Sequence, residues 1–396
     1  MISDTGCMGN DPLVFTFFLI FTGAAIMATL ALFARQSLLI AYVALGVLLG
    51  PSVLGLIDQP QVVEQISHIG IIFLLFLLGL NLNPDELLRM VRKTMLVTIL
   101  SSLVFAFGGF VITLLFGFSL IEALLIGAVT TFSSTIIGLK LLPTSVLHHR
   151  RTGEVIISIL LLQDLLAILL LVVIKGGAGG GMGVWEPLLL VLKLPLLVLF
   201  AWFFTRYVIV PLISKFDRIQ EFIFLVAIGW CLGMAELAQW VGLSAEIGAF
   251  IAGVSLATGP VALFVSESLK PLRDFFLVLF FFSLGAQVEL DMALPVILPA
   301  LVLAIVTMLG KPPVFRWLLR RIGESEKRSA NIGVRLGQMS EFSLLISVVA
   351  MQSGVIGHHA AYLIQFATLF TFIASSWWIV RKLPTPIALK DELRLD

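Results

Sequence analysis

Gln163 and Asp164 sit at the centre of GEVIISILLLQDLLAILLLVVI, a run from Gly153 to Ile174 that is otherwise apolar and long enough to cross a bilayer. An ionisable group at that depth costs roughly 2.5–3.5 kcal/mol on insertion scales, so it calls for a cavity, a partner or a task. The task open to a lone carboxylate is to take up a proton or a cation and release it again. A second group of oxygen-bearing residues stands in GAVTTFSSTIIG, where Thr130, Thr131, Ser133, Ser134 and Thr135 lie between Gly127 and Gly138. A third is GQMSEF, from Gly337 to Phe342, with Glu341. Hydroxyl-rich, glycine-flanked stretches are where a transmembrane helix can unwind and turn carbonyls toward an ion. The same hydroxyls can also bond back to their own helix and leave it intact.

Carboxylate, hydroxyl and carbonyl oxygens at one depth suit a hard monovalent cation, with Asp164 as its charged ligand. Phosphate loops, Cys/His metal spacings and a Ser-His-Asp set are missing, which argues against an enzyme and against a bound cofactor. Cys7 and Cys231 make neither a disulfide framework nor a metal set. The histidines, His68, His148, His149, His358 and His359, fall at span ends or in loops. Nothing in the charge pattern points to nucleic acid.

The elements that must position these residues are membrane helices. The chain is 59% hydrophobic and 12% charged, with a mean hydropathy of +1.10, too apolar for a soluble protein of 396 residues. Apolar stretches near Pro12–Phe33, Ser37–Ile57, Ile66–Leu82, Thr94–Gly117, Leu120–Leu142, Gly153–Ile174, Glu186–Ile213, Ile219–Trp240, Leu243–Thr258, Pro271–Val288, Met292–Phe315, Ala330–Ser353 and Ala360–Val380 predict about 13 spans in an all-α polytopic fold. Met1–Asp11 has no Lys or Arg, so the first span is expected to persist rather than act as a cleaved signal. Basic residues gather in alternate connections, from Arg35 and Arg89 through Arg316–Arg328 to Arg381 and Lys382, which predicts an outside N-terminus and a cytoplasmic C-terminus in the cell inner membrane.

An internal repeat organises the spans. FLLGLNLNPDEL of the third is echoed by FFSLGAQVELDMAL of the tenth, Gly285 following Gly79 by 206 residues (285 − 79). Gly50-Pro51 is echoed by Gly259-Pro260 at a separation of 209 residues (260 − 51), and the offset of 206 residues found for Gly79 and Gly285 sets Glu341 against Thr135 (341 − 135). An odd number of crossings separates the copies, so they face opposite ways, the inverted-repeat pattern of secondary transporters. The predicted division is residues 1–174 for the first repeat, 175–215 for an external Gly-rich loop (GGAGGGMG) and linker helix, 216–382 for the second repeat, and 383–396 for a short cytoplasmic tail.

Over almost its whole length the chain resembles the second monovalent cation:proton antiporter family, and within it the potassium-efflux branch. The likeness is carried by ALGVLLGPSVLGLI, FLLFLLGLNLNP, SSTIIGLKLL, LLQDLLAI, LSAEIGAFIAG, FFSLGAQVEL and GQMSEF in that order. The resemblance implies a sodium/proton-antiporter-like fold with two crossed broken helices, a six-helix core, a dimerisation domain and elevator-type alternating access. It makes Asp164 the carboxylate that binds cation and proton in turn, with Gln163 in the position where the potassium branch carries Gln, and Thr131, Ser133, Ser134 and Thr135 as the facing unwound segment. Lys311 matches a core-domain lysine and is assigned, with Glu341, to charge compensation; a lysine snorkelling to the cytoplasmic surface is the plainer alternative. Met339 and Ser340 depart from the glycines usual in that branch. The branch usually bears a nucleotide-binding regulatory domain that has no counterpart in this sequence, so a separate regulatory subunit is expected, beside a homodimer and the lipid bilayer, as partner.

One carboxylate that cannot hold a proton and a metal cation together implies electroneutral one-for-one exchange of K+ for H+. Na+/H+ exchange on the same fold is the alternative, followed by a non-transporting membrane sensor. Glu236 and Glu246, near the outer ends of the eighth and ninth spans, form a candidate funnel for cations, or a solvated rim.

Overall fold

The structure, a computed structural model, describes residues 12–34, 36, 38–57, 60–80, 84–140, 151–177, 185–216, 219–243, 245–257, 262–288 and 290–383. Residues 178–183 of the Gly-rich loop, His148 and His149, and residues 384–396 of the tail lie outside these. The described chain is helical, with no strand among the described residues. Its helices are α1 (Pro12–Phe33), α2 (Leu38–Leu49), α3 (Pro60–Leu80), α4 (Pro84–Leu115), α5 (Leu120–Thr130), α6 (Thr135–Lys140), α7 (Arg151–Gly177) and α8 (Trp185–Phe204), which runs on through a π turn (Thr205–Ile209) to Lys215. They continue with α9 (Gln220–Trp240), α10 (Ala245–Ala257), α11 (Ala262–Ala286), α12 (Ile297–Arg321), α13 (Glu326–Arg335), α14 (Glu341–Gln352) and α15 (His358–Lys382).

Among the described residues seven helical stretches are long and apolar enough to cross a bilayer unaided, and others are apolar but too short for a full crossing. The short ones include α2, which stops at Leu49 instead of continuing to Ile57, because Pro51 disfavours helical geometry at Gly50 before it. In the other direction α4 reaches back to Pro84, ten residues before the apolar stretch begins, with proline at a helix start where its missing N–H costs nothing. The fifth and twelfth predicted spans are each interrupted: α5 and α6 flank residues 131–134, and α13 and α14 flank residues 336–340.

Large apolar side chains such as Phe33, Leu115, Val173, Phe203 and Leu225 are exposed on the flanks of the bundle, where only lipid could cover them at no cost. Inside, two packing groups form. α1, α2 and α3 pack with α8 to α11, while α4 to α7 pack with α12 to α15, so each group draws on both halves of the sequence. In the first group the backbones touch: a methyl at Gly253 would meet the Phe76 carbonyl of α3, and one at Gly79 the Phe250 carbonyl of α10. Small residues at such crossings let membrane helices approach closely. The second group holds the two interrupted helices, and with them every polar residue singled out at mid-span.

Candidate ion-binding site

The first interruption is bounded by strong local signals. Ser119 caps α5 in a capping box with Glu122, whose other oxygen accepts from the Gly357 N–H ahead of α15. α5 ends at Thr130, whose hydroxyl donates to the Gly127 and Phe105 carbonyls (2.7 and 3.0 Å). The Ser134 hydroxyl accepts from the Ile137 N–H at the start of α6. Between these ends the Thr131 N–H still reaches the Ala128 carbonyl and the Ser134 carbonyl accepts from the Gly138 N–H, while the other polar groups of residues 131–134 need partners from elsewhere.

α7 supplies them. The Gln163 amide oxygen accepts from the Ser133 N–H and its amide nitrogen donates to the Thr131 carbonyl, both at 3.0 Å. Asp164, the next residue on α7, is 1% exposed, and the Thr135 hydroxyl lies 3.4 Å from its Oδ2. Glu341, half-buried in the first turn of α14, is close enough to add like-charge repulsion to Asp164. At the N-terminus of a helix the dipole favours that second carboxylate. The oxygens that could take a bare monovalent cation are thus those of Asp164 and Thr135, the carboxylate buried and the hydroxyl half-buried in this conformation.

Lys311 of α12 does not snorkel. Its side chain is 0% exposed, and Nζ donates to the carbonyls of Phe132 (2.7 Å) and Gln338 (2.9 Å), one from each interruption, with the Ser133 hydroxyl at 3.4 Å. The Phe105 ring covers it at 5.5 Å. Further bonds join the interruptions directly, the Ser133 hydroxyl donating to the Leu336 carbonyl (2.9 Å) and the Gln338 amide to the Ser134 carbonyl (3.4 Å), while the Ser343 hydroxyl of α14 donates to the Val129 carbonyl of α5 (2.9 Å).

The structure therefore brings together Thr131, Ser133, Ser134, Thr135, Gln163, Asp164, Lys311 and Glu341. Glu236 and Glu246 stand apart and differ from each other. Glu236 is exposed on α9, whereas Glu246 is 4% exposed in the first turn of α10, 3.5 Å from Nε2 of His68 on α3. His68 also lines a cavity of about 350 Å³ between α3, α11 and α14, with Gln65, Ser67, Ser283, Gln287 and Gln352. Gln338, Ser343 and the α15 hydroxyls of Thr371 and Ser375 escaped the sequence reading. For the two on α15 the sequence does hold a signal, the polar residues Gln365, Thr368, Thr371 and Ser375 three or four apart in an apolar helix, which marks a face without saying what that face meets.

The chain is similar in sequence and in fold to known transport proteins over most of its length. Residues 18–382 match the family described as sodium/hydrogen exchanger, transmembrane. The chain is 29% identical over 369 residues to K(+) efflux antiporter 5 of Arabidopsis thaliana, covering 91% of this chain and 64% of that protein, so it spans a little under two thirds of that relative's length. It is 26% identical over 378 residues to the K(+)/H(+) antiporter subunit KhtU of Bacillus subtilis (strain 168), covering 92% of this chain and 91% of KhtU. Its fold is similar to the solved structure of the sodium proton antiporter MjNhaP1 from Methanocaldococcus jannaschii at pH 8, with a TM-score of 0.70 at 16% identity, over 93% of this chain and 95% of that one.

Proposed function

The chain belongs to the sodium/hydrogen exchanger family of transmembrane proteins, and on that premise we propose that it is a secondary antiporter exchanging K+ for H+, one for one, at Asp164. The observation that carries this reading is a buried mid-span carboxylate facing the Thr135 hydroxyl, where α6 begins after an unwound, cross-braced backbone segment. A proton and a cation compete for the same oxygens. A core that moves only when that charge is neutralised then converts competition into exchange.

Asp164 is buried, so cations reach it only when the core group, α4–α7 with α12–α15, shifts against the scaffold of α1–α3 and α8–α11. That split supports elevator-type alternating access, with thirteen crossings in two inverted repeats when each interrupted helix is counted as one. The N-terminus is then outside the inner membrane and the C-terminus in the cytoplasm, with the scaffold forming a homodimer and a separate subunit supplying regulation. Potassium is favoured by the names of the efflux relatives. Gln163 supports it only indirectly, since its amide is engaged by the Thr131 and Ser133 backbone. Sodium/proton exchange is the second reading, favoured by the fold of the sodium proton antiporter.

The test is proton flux followed with a pH-sensitive dye in proteoliposomes, offering K+, Na+, Rb+ and Li+ in turn. The expected result is K+-dependent flux that ignores an imposed potential, because a net moved charge would add or remove about 2.3 kcal/mol per 100 mV. A steep potential dependence overturns the stoichiometry, and no cation-dependent flux with any of the four ions leaves the sensor reading in its place.

A further inference from the structure

α15 carries a buried polar face that the exchange reading does not use. Gln365, Thr368, Thr371 and Ser375 recur at three- and four-residue spacing and are all buried, so they line one side of the helix. That side faces the second interruption. The Met339 N–H, which has no helical partner there, donates to the Thr371 hydroxyl at 3.1 Å. The same hydroxyl donates to the Thr368 carbonyl at 2.8 Å, which fixes its hydrogen along the helix and leaves its lone pairs turned to Met339. One turn on, the Ser375 hydroxyl donates to the Gln338 amide oxygen at 3.0 Å. That bond orients the Gln338 side chain with its nitrogen toward the Ser134 carbonyl, 3.4 Å away. The Gln338 backbone carbonyl in turn receives Lys311.

The chain of contacts thus runs from α15 through Gln338 to Ser134, the residue before Thr135, whose hydroxyl approaches Asp164. We propose that Thr371 and Ser375 are positioning residues for the exchange site, holding the second interruption so that Gln338 sets the Ser134–Thr135 turn at the cation's place. The proposal rests on the exchange reading above. It concerns a helix that never touches the ion: with the hydroxyls gone the turn loosens, the cation loses well-placed oxygens, and the proton, which needs only the carboxylate, does not.

The experiment compares wild type with Thr371→Val, Thr371→Ser and Ser375→Ala in proteoliposomes, measuring flux against K+ concentration and against pH. Loss of one buried hydrogen bond of ordinary strength corresponds to about a tenfold change in an equilibrium. Thr371→Val is therefore expected to raise the apparent KM for K+ by about tenfold with maximal rate within about twofold of wild type. Weaker cation competition also moves the acid side of the pH–rate profile upward, by up to about one pH unit for a tenfold loss. Thr371→Ser keeps the hydroxyl and restores both, and Ser375→Ala shows the same direction at smaller size. A Thr371→Val protein that loses maximal rate with unchanged KM and pH profile, or a Thr371→Ser that fails to restore them, overturns the positioning role while leaving exchange intact. Should Thr371→Val fail to fold, the KM and pH shifts of Ser375→Ala decide alone. Absence of cation-dependent flux in wild type is the separate outcome that removes the exchange reading and this role with it.

Discussion

Two stretches of backbone, residues 131–134 and 336–340, face the same difficulty and meet it differently. Each interrupts a helix inside the bundle, where water cannot satisfy the freed N–H and C=O groups. In the first, a single amide, that of Gln163, serves Thr131 and Ser133 together. The second is held by hydroxyls spread along α15 and by the Ser340 hydroxyl, which accepts from the Phe342 N–H. Lys311 is common to both. The difference lies in what stands beside the clamp: Asp164 follows Gln163 directly, whereas the α15 clamp brings only neutral groups. Bracing is shared between the two, and the chemistry is assigned to one.

The sharpest way to break that asymmetry is to remove the acid. Asp164→Asn keeps size and shape but cannot alternate between charge states, so cation-coupled proton flux is expected to vanish in the dye assay. Retained flux would move the exchange site elsewhere. Next in size is Lys311→Met, which leaves the carbonyls of Phe132 and Gln338 without their donor. Each orphaned buried acceptor costs about 1–3 kcal/mol, and relief of the buried ammonium's own desolvation offsets part of the sum. A net loss of roughly 1–3 kcal/mol is expected, read as a lower thermal midpoint in detergent. An unchanged or higher midpoint would mean that the lysine strains the fold and is kept for electrostatics alone.

The two stretches were also unequally legible. The first announced itself, since Asp164 in an apolar run and five hydroxyl residues within six positions are conspicuous in the sequence. The second was found through its offset from the first and through Glu341, but what holds it was not. Thr371 and Ser375 are ordinary small residues in a membrane helix, and their role depends on which neighbour α15 packs against, a tertiary fact that local pattern does not encode. The same limit applies to Gln163, which the resemblance grouped with Asp164 at the ion-binding site and whose amide bonds to the Thr131 and Ser133 backbone are equally tertiary. Lys311 is the opposite case: a lysine near the end of its predicted span, Met292–Phe315, is ambiguous until its burial is known, and the structure sets it within α12 and gives it two carbonyls in place of the surface. Helix ends suffered for a related reason, as in α4, whose first ten residues are too polar to count as membrane-spanning and are helical all the same.

A milder substitution sharpens the comparison between clamps. Gln163→Leu removes both amide bonds from the first stretch but leaves Lys311 and the Ser133 to Leu336 bond in place. Flux is expected to fall by about tenfold with Asp164 still functional, the scale of one to two ordinary hydrogen bonds. If flux is unaffected, the first stretch is held by its contacts with the second and the amide is dispensable.

The smallest expected effects separate Glu246 from Glu236, which the sequence grouped as one funnel. Glu246 is buried beside His68, whose ring lines the cavity between the scaffold helices α3 and α11 and the core helix α14, where the two packing groups part. A carboxylate at that depth projects its field into the cavity with little screening, whereas Glu236 stands in solvent or headgroups, where salt damps it within about 10 Å. Glu246→Gln should therefore raise the apparent KM for cations offered on that side by about twofold to fivefold at low ionic strength, an effect that shrinks as inert salt is added. Glu236→Gln should leave the same curve unmoved. Equal effects from the two would restore the single rim that their positions in the sequence suggested and would take the cavity out of the cation's path.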